Sequence, residues 1–575
     1  MQKKLIECVP NFSEGRDLTV IKQITDVIEK VEGIKLLDVD PGEATNRTVV
    51  TFVGEPEQVM EAAFQAVRKA AELIDMRNHH GAHPRMGATD VCPLVPVAGV
   101  TLEECAEYAR QLGKRIGDEL GVPVYAYEAA AFTPARRNLA VCRKGEYEAL
   151  SQRFGVAEEN PDFGPTVWDE NTARTGATAV GARDFLIAVN YNLNSTSTRR
   201  ANAIAFDVRE KGRPMREGGS PVGKVMKDEN GKDIMIPGTL KGTKAIGWFI
   251  DEYGIAQVSM NITDIKTTPL HVAFDEVCRC AANRGLRVTG AEIVGLVPKS
   301  TLIEAGKYFL RKQQRSVGLH DEEIIKIAVK SMGLDDLKPF NPEEKVIEYL
   351  IEDKTKKKLV DMTCTGFAQE TASESPAPGG GSISAYMGSL AAALATMVAN
   401  LSSHKAGWDA RWEFFSEWAD KGQAMMSRLL WLVDEDTEAF NKIMAVFAMP
   451  KSTDEEKAAR AAAMQEATLY ATQVPLETIK ATMETFPLIR AMAEEGNPNS
   501  VSDAGVGALA ARAAVLGACL NVKINAGGLK DREIADKLVG EANALAAEAC
   551  KLEAEILEIV NAKNINNIIL ATLQI

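Results

Sequence analysis

The chain has 575 residues, 46% of them hydrophobic, and its 66 Lys and Arg against 80 Asp and Glu leave a net charge of −14. That acidic balance argues against a general nucleic-acid binder. The nine Cys are scattered without a CxxC pair, which gives neither a structural zinc site nor a disulfide framework and suits a reducing, cytoplasmic compartment. Glu7 interrupts the N-terminus too early for a signal-peptide core. No uncharged, unbroken apolar run reaches about 18–20 residues, so no membrane span is expected.

Apolar alternation and helical periodicity predict a strand over 6–9, a helix over 17–31, strands over 34–39 and 48–54, and a helix over 57–74. A strand over 91–97, a helix over 102–120 and a strand over 122–128 follow. A similar succession recurs, with strands over 184–191, 245–249, 256–262 and 288–294 and helices over 197–210, 270–284 and 300–312. Two βαββαβ-like units in tandem predict an α+β N-terminal half of two sandwich subdomains, 1–180 and 181–340. The Gly- and Lys-rich stretch 214–238 reads as an exposed insertion, and the charged run Glu352–Lys358 marks a boundary within a linker over 341–360. From 361 to 575 strands nearly vanish. Ala-rich periodic stretches predict helices over 382–401, 410–432, 435–447, 454–470, 476–495, 500–521 and 531–561, an all-α helical bundle.

The residues that carry chemistry fall at strand ends and helix starts. Asn11-Phe12-Ser13-Glu14-Gly15-Arg16 lies between a strand and a helix, where it suits a polar ligand at a helix N-terminus or simply a cap and a turn. Asp38 and Asp40 end a strand beside the Pro41-Gly42 turn, with Asn46 and Arg47 close behind. Three of the six His stand in His79-His80-Gly81-Ala82-His83-Pro84-Arg85, a loop punctuated by Gly and Pro. His83 is the candidate general acid and base, Arg85 a candidate carboxylate anchor and Asp90 a candidate orienting group. The same His cluster could bind metal, but glycine and proline break the helical spacing and no Cys or Glu completes the set, so no metal is expected. Gly379-Gly380-Gly381-Ser382 opens a helix whose free N–H groups suit an anion. Asp434, Glu435 and Asp436 interrupt an apolar helical run, where a carboxyl with a raised pKa can donate a proton. Asn497 to Asp503 caps a further helix, and Ser502-Asp503-Ala504-Gly505-Val506-Gly507 brings small residues that permit close approach of a helix or ligand.

Together these motifs resemble the bifunctional formimidoyltransferase-cyclodeaminase family of histidine degradation and folate one-carbon metabolism. The N-terminal likeness rests on Glu7 to Gly15, Leu36 to Asp40, Thr45 to Thr48 and His83 to Ala88 followed by Asp90 to Pro93. The C-terminal likeness rests on Ala377 to Ser382, Leu432 to Phe440 and Ser502 to Val522. The resemblance covers essentially the whole chain. It implies that His83 is the transferase histidine and Asp434 the cyclodeaminase aspartate. The folate-binding segment would run from Gly164-Pro165-Thr166 to Gly176, with a few extra residues over 168–174 relative to the animal pattern. Asn11, Asp40, Asn46, Arg47, Arg85, Gly380, Gly381 and Ser382 are the further candidates for holding substrate or folate. Asp90, Asp436 and Asp503 are candidate catalytic helpers. The implied partners are formiminoglutamate and tetrahydrofolate in its polyglutamylated form, without metal, nucleotide, nucleic acid or membrane. The implied assembly is a homo-oligomer with dimer contacts through both domains. The residues alone leave open a formyl donor, N-formylglutamate, and a folate-binding protein without catalysis.

Overall fold

The structure is a computed structural model that describes residues 4–43, 45–81, 84–220, 222–352 and 357–573, with side chains through Lys563. The N-terminal sheet contains β1 (Leu5–Cys8), β2 (Asn11–Phe12), β3 (Lys35–Gly42), β4 (Arg47–Gly54), β5 (Thr89–Ala98), β6 (Val124–Glu128) and β7 (Thr178–Ala182). Their order is β1-β4-β2-β5-β7-β6, with β3 on the outer side of β4 and β1 also paired to β5. Strand alternation puts Ile6, Cys8, Phe52, Leu94 and Val180 on one face. There they meet the apolar stripes of α1 (Leu18–Glu29), α2 (Pro56–Leu73) and α3 (Leu102–Arg115). Each helix starts where its local chemistry allows. Asp17 accepts from the N–H groups of Thr19 and Val20, α2 opens on Pro56, and Thr101 and Glu104 form a capping box.

The helix predicted to 120 continues from α3 as a wider turn over Ile116–Leu120, ended by Gly121 at φ +62°. Residue 117 must be glycine there, because a Cβ would lie 2.6 Å from the backbone N of Gly164. The parallel strand β7 was not predicted. Its sequence, Thr-Ala-Val-Gly-Ala, is buried on both faces between β5 and β6 and so shows no alternation.

The second subdomain is an antiparallel sheet of β8 (Ile187–Leu193), β11 (Thr243–Ile250), β12 (Ile255–Ile262) and β13 (Val288–Val294), ordered β11-β12-β8-β13. Within the predicted insertion, β9 (Arg213–Pro214) and β10 (Met235–Ile236) pair as a small, largely exposed hairpin. Further helices in this half are α4 (Glu146–Arg153), α5 (Glu170–Thr175), α6 (Thr198–Val208), α7 (Leu270–Ala282), α8 (Lys299–Lys312) and α9 (Asp321–Met332).

The helical unit contains α10 (Gly380–Ser403), α11 (Trp412–Phe447), α12 (Asp454–Met483), α13 (Thr485–Glu495), α14 (Val501–Ala526) and α15 (Arg532–Leu573). The two compact units do not follow chain order: residues 306–328 group with 353–575, and 329–352 return to the first unit. Val317 donates its N–H to Ser416 Oγ at 3.0 Å, and Gly318 O accepts from Asn400 Nδ2 at 2.8 Å and Gln423 Nε2 at 3.2 Å.

Two predicted breaks are absent. The acids at 434–436 do not end a helix, because α11 runs through them. Likewise α12 passes through Pro475, which cannot donate to the carbonyl of Ala471. Asn525 Nδ2 donates to that carbonyl instead, at 2.7 Å, so the orphaned acceptor is met from a neighbouring helix. The expectation of no apolar span also needs correction. By length and composition two helices, Gly380–Ser403 and Pro498–Ala526, are apolar enough to cross a membrane, although 61% and 50% of those windows are buried within the unit. Their Ser and Gly residues interrupt the apolar runs while the averaged hydropathy stays high.

Candidate active sites

In the first unit the predicted residues gather around one loop. His79 is buried, with Nε2 2.8 Å from the carbonyl O of Asn46 and Nδ1 3.3 Å from Arg85 Nε. Arginine can only donate, so Nδ1 accepts and Nε2 carries the proton. Burial also lowers the pKa of His79, which keeps it neutral. His80 is exposed, and its carbonyl accepts from Asn46 Nδ2 at 3.0 Å. Asn46, at φ +48°, also takes the N–H of Gly15 on Oδ1 at 3.0 Å. Its single side chain thereby ties the 11–16 segment to the histidine loop. Gly15 is needed at that approach, since a Cβ would lie 2.5 Å from Arg47 N. His83 itself lies outside the described residues.

Arg85 differs from the expected carboxylate anchor. It forms a fork with Glu148 at 2.8 and 2.9 Å, and Glu146 lies 3.5 Å away, so its charge is already met within the chain. Those partners lie more than sixty residues downstream, where the local motif gives no sign of them. Asp90 is buried and accepts from Met86 N at 3.0 Å and Arg143 Nε at 3.2 Å. Burial raises its pKa, opposed by Arg143. Asp90 therefore fastens the loop's C-terminal foot, and Arg143 is a site residue the sequence did not reveal.

Cross-strand register places Asn11 and Asp40 on either side of Val49, with Arg47 two residues along β4 on the same face. Asn11 Nδ2 donates to Val9 O at 3.0 Å, while Asp40 is exposed. Among the described residues Arg47 Nε is buried without a hydrogen-bond partner. Burial depresses the guanidinium, against the attraction of Asp90 and Asp40. A buried guanidinium nitrogen without a partner has the chemistry that an anionic ligand would satisfy.

The segment 164–176 is stitched to the same loop. Gly164 adopts φ +80° against the backbone of Gly117 and Val122, and leads through Pro165 to the exposed Thr166. At the other end Gly176, at φ +65°, bridges to Gly87. Ala88 N donates to Thr175 O at 2.8 Å, and Ala177 N to Met86 O at 2.9 Å. The extra residues 168–174 form most of α5, capped by Asp169, with Trp168 packed between Tyr147 and Phe154.

In the helical unit, Asp436 Oδ2 accepts from Ser382 N at 2.8 Å and Ser382 Oγ at 3.0 Å. The start of α10, expected to hold a ligand anion, thus already holds a carboxylate of the chain at Ser382. Gly381 makes room, since a Cβ would overlap that carboxylate, and Gly380 faces Asn521. Asp434 points elsewhere and accepts from Leu359 N at 2.6 Å. Two residues apart on a helix are turned by about 200°, which separates the two acids. Burial raises both pKa values, with Asp361 adding to the rise at Asp434. Between them Glu435 accepts from Tyr470 OH, and Lys442 lies 3.5 Å from the centre of that tyrosine ring. Asp503 is not brought to this group: it lies eighteen residues, about 27 Å, along α14 from Asn521. Among the described residues no group of three His, Cys, Asp or Glu is placed to hold a metal ion.

Three family models match the chain. Residues 5–183 match the formiminotransferase domain, N-terminal subdomain, residues 188–352 the formiminotransferase domain, and residues 363–544 formiminotransferase-cyclodeaminase. Formimidoyltransferase-cyclodeaminase of Mus musculus is 42% identical over 561 residues, spanning 97% of this chain and 99% of its own. Glutamate formimidoyltransferase of Thermoplasma acidophilum is 41% identical over 309 residues, 53% of this chain and 92% of its own. Methenyltetrahydrofolate cyclohydrolase of Methylorubrum extorquens is 41% identical over 201 residues, 35% of this chain and 97% of its own.

Proposed function

The chain belongs to the formimidoyltransferase-cyclodeaminase family, and from that premise we propose how its residues divide a two-step folate reaction. The chain is an enzyme that moves the formimino group of N-formimino-L-glutamate to N5 of tetrahydrofolate and then closes the product to 5,10-methenyltetrahydrofolate with loss of ammonia.

In the first step N5 attacks the formimino carbon and a tetrahedral centre forms. His83 takes the N5 proton, and a proton returns to the glutamate nitrogen as the C–N bond breaks. Arg47 holds a substrate carboxylate, with Asn11 and Asp40 on the same strand face, and the 164–176 segment carries folate against the loop. In the second step N10 attacks the same carbon, Asp434 protonates the departing nitrogen, and ammonia leaves. Asp436 orients the start of α10 through Ser382. The observation that carries this reading is the joining of the Asn46, Asp90 and Gly176 contacts around the loop that bears His83.

The reaction needs no metal in this reading, uses polyglutamylated folate, and serves histidine breakdown in the cytoplasm. A homo-oligomer is supported by the exposed Met397 and Leu401 on α10 and Val506, Leu509, Leu520 and Ile524 on α14, apolar faces a second copy would cover. Sedimentation of the purified chain tests it, and a monomer at micromolar concentration would refute it.

The deciding experiment mixes the protein with tetrahydrofolate and formiminoglutamate and follows methenyl absorbance and ammonia together. Both should rise in equal amounts, and turnover with N-formylglutamate in place of formiminoglutamate would overturn the donor. One relative carries the name cyclohydrolase, which favours a second reading in which the methenyl bridge is also hydrolysed. Decay of preformed 5,10-methenyltetrahydrofolate, faster with enzyme than without, would establish that reading.

A further inference from the structure

A groove in the helical unit lies beside the acid run and has no part in the steps above. Its cavity of about 630 Å³ lies between α11, α12 and α15, within the usual size of a small-molecule site. Arg428 pairs with Glu477 at 2.9 Å and Tyr470 with Glu435, so α11 and α12 run antiparallel along it. One end therefore abuts Glu435 and its neighbours, and the other ends at Lys480. From Leu469 to Lys480 the wall advances eleven residues, about 16 Å.

The walls combine apolar and cationic character. Trp431 stands on the α11 side with 54% of its surface exposed, a large aromatic left uncovered beside Leu432. The α15 side presents Ile534, Lys537 and Leu538, three and four residues apart and so on one face. Arg428 and Lys480 are already matched by Glu477 and Glu541, the latter 3.0 Å from Lys480. Among the described residues Lys537 has no carboxylate within ion-pair distance. Gln473, in the same wall, offers an amide for hydrogen bonding.

We propose that this groove binds the p-aminobenzoyl-glutamate arm of the folate during cyclodeamination, the benzoyl ring against Trp431 and a glutamate carboxylate on Lys537. The proposal rests on the reading that the helical unit acts on a folate. An arene, an amide and a carboxylate in series match an exposed indole, a glutamine and an unpaired ammonium on facing walls. Trp431 is three residues before Asp434, less than one helical turn. An arm laid on the indole therefore leaves N10, to which it is joined, at the level of the acid along α11.

Kinetics on the full chain with preformed 5-formiminotetrahydrofolate test this. Trp431→Ala and Lys537→Glu should each raise the KM of ammonia release roughly tenfold, the scale of one lost aromatic or ionic contact, with kcat within about twofold. Lys537→Arg should stay near wild type, and the transferase KM should not move. Unchanged KM in both variants, or altered sedimentation with KM preserved, overturns the site. A second readout does not depend on turnover: p-aminobenzoyl-glutamate should quench tryptophan emission of the wild type and not that of Trp431→Ala. Quenching that survives in the variant, or is absent from both, also overturns it. Quenching lost with Trp431 alongside a wild type that releases no ammonia would refute the cyclodeaminase reading and leave the site standing.

Discussion

The proposed assignment gives each activity its own side chain, His83 or Asp434, so their losses should be separable. His83→Ala should abolish transfer and leave ring closure of preformed 5-formiminotetrahydrofolate intact. Asp434→Asn should do the reverse, with kcat for ammonia release down about a hundredfold or more, the usual worth of a positioned acid. Because burial raises the Asp434 pKa and the proposed role requires the acid form, ring closure should fall as pH rises through that value, above the ordinary aspartate range. A profile flat from pH 4 to 8 would refute the role. Glu7 shows a different consequence of burial. It is 4% exposed on the strand face opposite Ile6 and Cys8, and desolvation pushes its carboxyl up to about 7. The folded state keeps that proton while the unfolded chain releases it at ordinary glutamate pH, so stability falls as pH rises from the unfolded value through about 7. Glu7→Gln should therefore melt above wild type at pH 8 and match it at pH 4, as calorimetry can show. Residue types were legible in the sequence here, but partners were not. Arg85 read as an anchor because Glu146 and Glu148 are distant in the chain, and the Nε of Arg47, unpartnered among the described residues, emerged only from its burial.

At the scale of elements, alternation and capping residues carried most of the reading. Asp17, Pro56 and Thr101 each start a helix within a residue or two of where the pattern places it. The misses share a cause, which is that a partner from elsewhere satisfies what the local sequence leaves wanting. Pro475 reads as a helix end until Asn525 is seen on the Ala471 carbonyl. The three acids read as a break until Ser382, Leu359 and Tyr470 are seen to donate to them. The glycine-rich start of α10 is the sharpest case, since Gly381 exists to admit Asp436. Gly381→Ala should push that carboxylate off the helix start, cost about 1–2 kcal/mol in the manner of a lost cap, and impair ammonia release while transfer is unaffected. Full cyclodeaminase activity in this variant would show the contact to be dispensable.

At the scale of the molecule, the change from mixed sheets to helices was plain from composition near residue 350, yet the division in space is not a single point in the chain. Residues 306–328 belong to the helical unit, held by Val317 on Ser416, Gly318 under Asn400, and Lys307 2.5 Å from Asp420. Periodicity cannot report that the end of α8 and most of α9 group with a different unit from the residues before and after them. A chain cut once between 352 and 357 should consequently elute as one species under native conditions and separate only in denaturant; native separation into two fragments would contradict the grouping. The boundary between the units is crossed at 305/306, 328/329 and 352/353. Recombination that exchanges one half at the charged linker would transplant an incomplete body and leave its missing piece behind in the donor. A new helical half joined at that linker inherits residues 306–328 from the old first half, and must offer them the places that Ser416, Asn400 and Asp420 offer here.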